Sequence, residues 1–328
     1  MIFSERPPLS NPRSERIRKI IALGGRSARL KTGLILVEGP SAVRELLLHR
    51  PDCVRDVYFV DSPNFAHADV VEMAAETISW VHPVTPEVSH KISTDSQGIV
   101  AVAKVESLQS QKTLVEISQS GRILAMSAQP AALGSRPEAP GQSPVVAPIV
   151  VLSCIQDPGN LGTLIRVADA FGASGVVVLS GSAEVGSPKV IRASVGSCFH
   201  LPILKLDTLT EVVSALHPSG WQILGTSGGH GTISLDDLVL EGLNSSSGVL
   251  AAPHAWVFGN EAQGLTDNEL AACDRVVKLE MTGQAESLNV AAAASCVLYA
   301  AQLVRMLPAR KLDFLRDNQN VSNQETTG

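Results

Sequence analysis

The sequence predicts an α/β protein with two domains, a small α/β domain over 1–106 and a parallel-sheet α/β domain over 149–310. Three observations lead there. Short apolar runs alternate with amphipathic segments, the pattern of strands covered by helices on both faces. The 328 residues exceed the roughly 100–200 expected of one domain. A stretch rich in Gln, Ser, Pro and Ala interrupts the alternation between 107 and 148 and reads as a flexible linker.

The first 33 residues are basic. LILVEG (34–39) then reads as a strand, and Pro40 suits the first position of a helix through SAVRELLLHR. DVYFV (56–60) is a second strand, ADVVEMAAETI (68–78) a helix and GIVAVAKV (98–105) a third strand. Within the linker, one short ordered piece is expected near TLVEI (113–117).

The second domain opens on the strand IVVLSCI (149–155), followed by a glycine-bearing loop, a helix and the strand GVVVLS (175–180). PKVIRASVGSCF (188–199) looks helical, and LPILKL (201–206) and a helix near LTEVVSAL (209–216) come next. The strand WQILGTS (221–227), a variable stretch with LNSSSG, the strand AWVFGN (255–260), the short helix DNELAACD and the strand VVKLEM (276–281) continue the alternation. SLNVAAAASCVLYAAQLVRML (287–307) forms a long closing helix, and 311–328 is expected to be a disordered tail. In parallel sheets ligands bind outside the carboxyl ends of the strands. The loops 156–163, 225–231, 259–265 and 281–288 are therefore where chemistry belongs.

Several classes are excluded. No G-x-G-x-x-G or G-x-x-x-x-G-K-[ST] follows any strand, so neither a dinucleotide fingerprint nor a phosphate loop is present. A nicotinamide oxidoreductase would also need a His–Asp pair at a hydride site, and none stands out. No apolar run reaches the roughly 18 residues of a membrane span, and MIFSERPPLSNPRSER lacks the apolar centre of a secretion signal. A cytoplasmic protein with no membrane partner is expected. The five cysteines form no C-x-x-C pair and the eight histidines no ligand-spaced cluster, so no metal site is expected.

Net charge is −6, yet it is unevenly spread. Residues 1–50 hold ten Lys/Arg against four acids, leaving the acidic excess to the remainder. A basic head suits phosphate contacts, and Arg13, Arg16, Arg18, Lys19, Arg26, Arg29 and Lys31 are its candidate RNA-binding residues; a solvated basic helix is the competing reading. Aromatic residues are 4% of the chain, too few for a stacking platform, so single-strand binding of the aromatic type is not indicated.

Three short motifs occur in order: N-x-G-x-x-x-R over 160–166, F-G-N-E-A-Q-G over 258–264 and S-L-N over 287–289. They resemble, in order and spacing, the three motifs of the SpoU/TrmH family of RNA ribose 2′-O-methyltransferases within the SPOUT superfamily. The similarity covers 149–307 strongly; residues 11–105 more loosely resemble that family's ribosomal-protein-like RNA-binding domain. The resemblance implies S-adenosylmethionine as methyl donor, a deep trefoil knot and a homodimer. The implied substrate is structured RNA, ribosomal RNA ahead of transfer RNA. A non-catalytic RNA-binding assembly factor is the alternative, which the intact motif residues oppose.

By the same resemblance, donor contacts fall on Gly259, Leu279 and Leu288. Gly264, Met281 and Thr226, the last in GTSGG (225–229), line the same cleft, although GTSGG also reads as a plain strand-end turn. Arg166 is the candidate on the acceptor side. A guanidinium does not deprotonate, so its role would be to clamp a phosphate and stabilise developing alkoxide charge, not to act as a base. Asn160 suits either a left-handed turn or a substrate contact. Glu261 suits orienting a cation such as Arg166, in the same or a second subunit. Ser287 and Asn289 suit helix capping, oxygen recognition, or both. Arg192 reads equally as a reach toward RNA or donor and as a helix-surface residue.

Overall fold

The computed structural model describes residues 7–127, 146–228, 233–245 and 248–306. These fall into two compact units interleaved along the chain: one drawn from 1–113, 154–169 and 180–205, the other from 114–153, 170–179 and 206–328.

The first unit begins with α1 (Glu15–Ala22) and α2 (Arg26–Thr32). It continues through β1 (Leu34–Glu38), α3 (Pro40–His49), β2 (Val54–Val60), α4 (Ala68–Thr77), β3 (Val81–Val84), α5 (Pro86–Ile92) and β4 (Ile99–Lys104). Its four strands pair in the order β1-β4-β2-β3, with β4 antiparallel to both neighbours and β2 parallel to β3. α1 is amphipathic: Ile17 and Ile20 enter a core with Leu36, Tyr58, Val88 and Val102, and its basic residues face outward. β3 and α5 lie where no element was expected. VHPV is too short and too proline-marked to read as a strand, although Thr85-Pro86 did carry a helix-start signal: the Thr85 hydroxyl accepts from the Val88 amide.

The second unit begins with α6 (Leu114–Ser127), where the sequence led us to expect only a short ordered piece. The remaining linker positions 128–145, and the tail from 307 onward, lie outside the described residues. β5 (Ile149–Leu152), β6 (Gly175–Leu179), α9 (Leu209–Leu216) and β8 (Gln222–Thr226) belong to it, whereas the intervening α7 (Pro158–Ala170), α8 (Pro188–Ser194) and β7 (Ile203–Leu206) fall in the first unit but for Ala170 and Leu206. β9 (Ile233–Ser234), α10 (Leu235–Asn244), β10 (His254–Phe258), α11 (Asp267–Ala272) and β11 (Arg275–Lys278) lead to a closing helix, α12 (290–306). The ten-residue α10 lies in the stretch that the sequence reads as variable; Ser234 caps it and Asp236 and Asp237 fill its first turn. No described helix is long and apolar enough to cross a membrane.

Within the second unit the strands run β6-β5-β10-β8-β11-β9, all pairs parallel. Every residue of β5, β6 and β10 is buried, as strands covered on both faces require. The order in which the chain adds strands reverses between β5 and β10, β6 lying on one side and β8 on the other. Such a switch point is where open α/β sheets place their ligand crevice.

His254 opens β10 fully buried, its Nδ1 bonded to the Ala252 carbonyl. Burial holds its pKa down to about 4, so the ring is neutral near pH 7. An unfolded chain protonates this histidine near pH 6.5. The folded chain resists, so stability is full above that pH and is lost as pH falls toward 4, by about 3 kcal/mol in total. Urea midpoints of the wild type measured from pH 7 to 4 should therefore fall more steeply than those of His254→Phe; parallel curves would disprove the assignment.

Candidate active site

β8, β10 and β11 are neighbours, with Val257 beside Gly225 and Val277 beside Thr226. Their carboxyl ends therefore lie side by side, and Thr226, Gly259 and Leu279 each stand at or just past one of them. The Thr226 hydroxyl donates to the Val257 carbonyl (2.9 Å), and the Ser227 amide to the Val277 carbonyl (3.0 Å). Thr226 thus stitches these ends together, and its side-chain hydrogen is already committed. On the far side of β10 the Ser153 amide donates to the Phe258 carbonyl.

The loop after β10 is closed on itself. Asn260 and Gly264 exchange both backbone hydrogen bonds, and the Asn260 Oδ1 accepts from the Ala262 and Gln263 amides. Gly264 adopts φ +70°, a conformation that favours glycine. Gly259 is buried so tightly that a Cβ would lie 2.4 Å from the Gly264 carbonyl carbon. Glycine at 259 therefore lets backbone meet backbone where a ligand crevice is expected. Glu261 is exposed on this loop.

The segment after β11 presents apolar groups to the surface. β11 stops at Lys278, so Leu279 and Met281 lie beyond the strand and are half-buried; Leu288 is 44% exposed. The predicted closing helix starts three residues late. Asn289 caps it, its Oδ1 accepting from the Ala291 and Ala292 amides, while Ser287 and Leu288 precede the helix. Capping is thus real for Asn289 but not for Ser287.

One hydrogen-bonded pair in this unit was not foreseen. The Ser153 hydroxyl donates to Glu269, which also completes a capping box with Thr266 at the start of α11. Burial alone would raise the Glu269 pKa, but Ser153 and Thr266 outweigh it and hold the carboxyl below its ordinary range. Thr266-x-x-Glu269 was a legible capping signal; the link to Ser153 was not.

In the first unit, α7 begins at Pro158, so Asn160 is helical and the left-handed turn expected of it is not formed. The cap is Asp157, whose carboxylate accepts from the Asn160 amide (2.8 Å). That bond, assisted by Lys189, holds the Asp157 pKa low. Gly162 has a packing reason: a Cβ there would sit 2.4 Å from the Val190 carbonyl oxygen and 2.6 Å from the Ala193 Cβ, so α7 lies directly on α8. Leu161, Leu164 and Ala168 form the buried stripe, and Arg166 lies on the exposed side with no hydrogen bond or ion pair among the described residues.

Residues 147–299 match the model of the SpoU rRNA Methylase family. The chain is similar to a 23S rRNA (uridine(2479)-2′-O)-methyltransferase of Streptomyces viridochromogenes, 38% identical over 149 residues, 44% of this chain and 48% of that one. It is also similar to a 23S rRNA (guanosine(2553)-2′-O)-methyltransferase of Bacillus subtilis, 34% identical over 151 residues, 46% and 56% of the two. The aligned region thus spans about half the length of these curated relatives. Among solved structures, the SpoU methyltransferase AviRb of Streptomyces viridochromogenes in complex with AdoMet superposes with TM-score 0.66 at 26% identity, over 90% of this chain and 99% of that one.

Outside the SpoU segment the basic residues divide. Arg13, Arg18, Lys19, Arg26 and Lys31 are exposed. Arg29 is not available to a nucleic acid: it is 6% exposed, forks onto Glu184 (2.6 and 3.1 Å) and donates to the Leu23 and Gly24 carbonyls. Arg16 is exposed but engaged, donating to the Tyr58 hydroxyl (2.8 Å) and Asp56 (3.0 Å). Both arginines hold parts of the protein together, a use of charge that composition cannot separate from RNA binding. Arg192 pairs with Glu38 and Asp95, a contact that neither of its two readings foresaw.

Gly259→Ala should lose about 2 kcal/mol or more of stability, since a methyl would have to displace backbone. Gly228→Ala, where nothing lies within 4 Å, should fold normally. Equal denaturation midpoints for the two variants would refute the packing argument.

Proposed function

We propose that this protein transfers a methyl group from S-adenosylmethionine to a ribose 2′-hydroxyl of RNA, ribosomal RNA in first place. The observation that carries the reading is the placing of F-G-N-E-A-Q-G and the following Leu279–Asn289 segment at adjoining strand ends beside a topological switch point. The names of the similar proteins, two of them 23S rRNA 2′-O-methyltransferases, support the substrate class.

The chain's residues fit such a donor. Its adenosine needs a backbone that can come close and apolar groups to cover the base. Gly264 leaves open space where a Cβ would stand, and Leu279, Met281 and Leu288 keep apolar surface exposed nearby in sequence. When bound, the donor supplies a sulfonium methyl; the ribose oxygen takes that carbon, the carbon–sulfur bond breaks, and the hydroxyl proton leaves. The residues must hold the oxygen in line and offset the charge it gains. Arg166 serves the acceptor, its planar fork binding the flanking phosphate and the developing alkoxide. Asn160, Glu261, Ser287 and Asn289 position that acceptor and the arginine. The exposed cations Arg13, Arg18, Lys19, Arg26 and Lys31 supply the salt-sensitive RNA affinity. A knotted 149–310 domain, a homodimer and a cytoplasmic location belong to the same proposal.

Purified protein with labelled S-adenosylmethionine and ribosomal RNA should yield 2′-O-methyl nucleotides. Arg166→Ala should lower kcat by about 100-fold or more with donor binding unchanged, and Arg166→Lys should recover little of it. Lysine at full activity would sink the fork role, and failure to bind the donor calorimetrically would sink the whole reading.

A further inference from the structure

Among the described residues, one grouping has ligand geometry that sequence spacing concealed. Glu45 and His49 are four apart on α3 and so share a face. His200, 155 residues after Glu45, follows the 3-10 turn Ser197–Phe199. One ligand atom from each residue lies within 4.8 Å of the other two. The Glu45 Oε2 is 3.0 Å from His200 Nε2 and 3.5 Å from His49 Nε2. Ligands bound tetrahedrally to zinc at about 2.0–2.1 Å stand roughly 3.3 Å apart.

We propose that Glu45, His49 and His200 bind one divalent transition-metal ion of the zinc class. The carboxylate of Asp169 lies 2.7 Å from the His200 Nδ1. Accepting the Nδ1 proton, it fixes the tautomer with a lone pair on Nε2, the partnership that supports metal-bound histidines. A lone pair then faces the Glu45 carboxylate, and His49 adds another acceptor close by. Something positive belongs between them. A second proton on His200 would pair it with Glu45 as well as Asp169 and leave out His49, 3.5 Å from the Glu45 Oε2, whereas a metal ion engages Glu45, His49 and His200 at once.

The surroundings are built for this geometry. Gly196, at φ +94°, passes so close to Glu45 that a Cβ would meet its Cβ at 2.6 Å and Cγ at 2.7 Å. Glycine there lets the Glu45 stem reach under the turn that presents His200. Beside the trio opens a cavity of about 390 Å³, lined in part by His49, Arg50, Lys112 and His200. With three protein ligands the fourth position is open to this cavity, for water or an anion. The ion would clip α3 to the segment after α8.

Metal-stripped full-length protein titrated with Zn2+ should bind one equivalent, with a rise in Tm, and Co2+ should give tetrahedral d–d absorption without a sulfur charge-transfer band. His49→Ala and Glu45→Gln should abolish both signals while keeping the metal-free Tm, and His90→Ala, exposed elsewhere, should keep them. Asp169→Asn should weaken binding about 10–100-fold. No stoichiometric binding, binding that survives His49→Ala, or a thiolate band placing the ion on a cysteine such as Cys296 would each overturn the proposal. A doubly protonated His200 by NMR in protein without zinc affinity would assign the cluster to a proton instead.

Discussion

Parallel pairing of β10 with β5 on one side and β8 on the other aligns the carboxyl ends of strands whose loops are far apart in the chain. The hydrogen-bond ladder sets strand spacing at about 4.8 Å, so the loops at these ends have nowhere to go but over one edge. Glycine makes that crowding possible. At 259 backbone packs on backbone, and at 225 the missing side chain leaves room for the Cys273 sulfur, which a Cβ would meet at 2.8 Å. Thr226 and Ser153 then tie the ends laterally through hydrogen bonds to β10. A site of this kind is a property of the sheet before it is a property of any side chain.

The first unit spends its charge differently from what its composition suggests. Of seven basic residues read as a nucleic-acid surface, five face solvent and two are bound internally. A guanidinium is weakly hydrated and offers a planar fork of donors, which is why it can be buried against carbonyls and a carboxylate where lysine would not be. Arg29 does this with Leu23, Gly24 and Glu184, and the half-exposed Arg192 pairs with the carboxylates of Glu38 and Asp95. Glu184, far along the chain, thus offsets part of the N-terminal basicity through Arg26 and Arg29, and Asp56 offsets Arg16.

Short polar residues near helix starts carried two meanings in the sequence, and local geometry separates them. Asn289 caps α12 and Asp157 caps α7, so their side chains are partly committed to backbone amides. Asn160, in the first turn of α7, has its backbone amide satisfied by Asp157. Arg166, two turns into the same helix, is held on the exposed side because Leu161, Leu164 and Ala168 occupy the buried one.

The sequence by itself determined the alternation of strands and helices, the glycine-bearing loops and the three motifs. These are written in local periodicity, in turn chemistry and in short runs of residues. It missed β3, α5 and α10, whose strand is short and proline-bearing or whose helices lie in stretches that look like loop. Only the tertiary structure decided which glycines are packing requirements, that Arg16 and Arg29 are internal ties, and that Glu45, His49, Asp169 and His200 meet. Those facts depend on which distant segments are brought face to face. Such meetings follow from strand order and helix packing, and spacing along one chain carries no record of them.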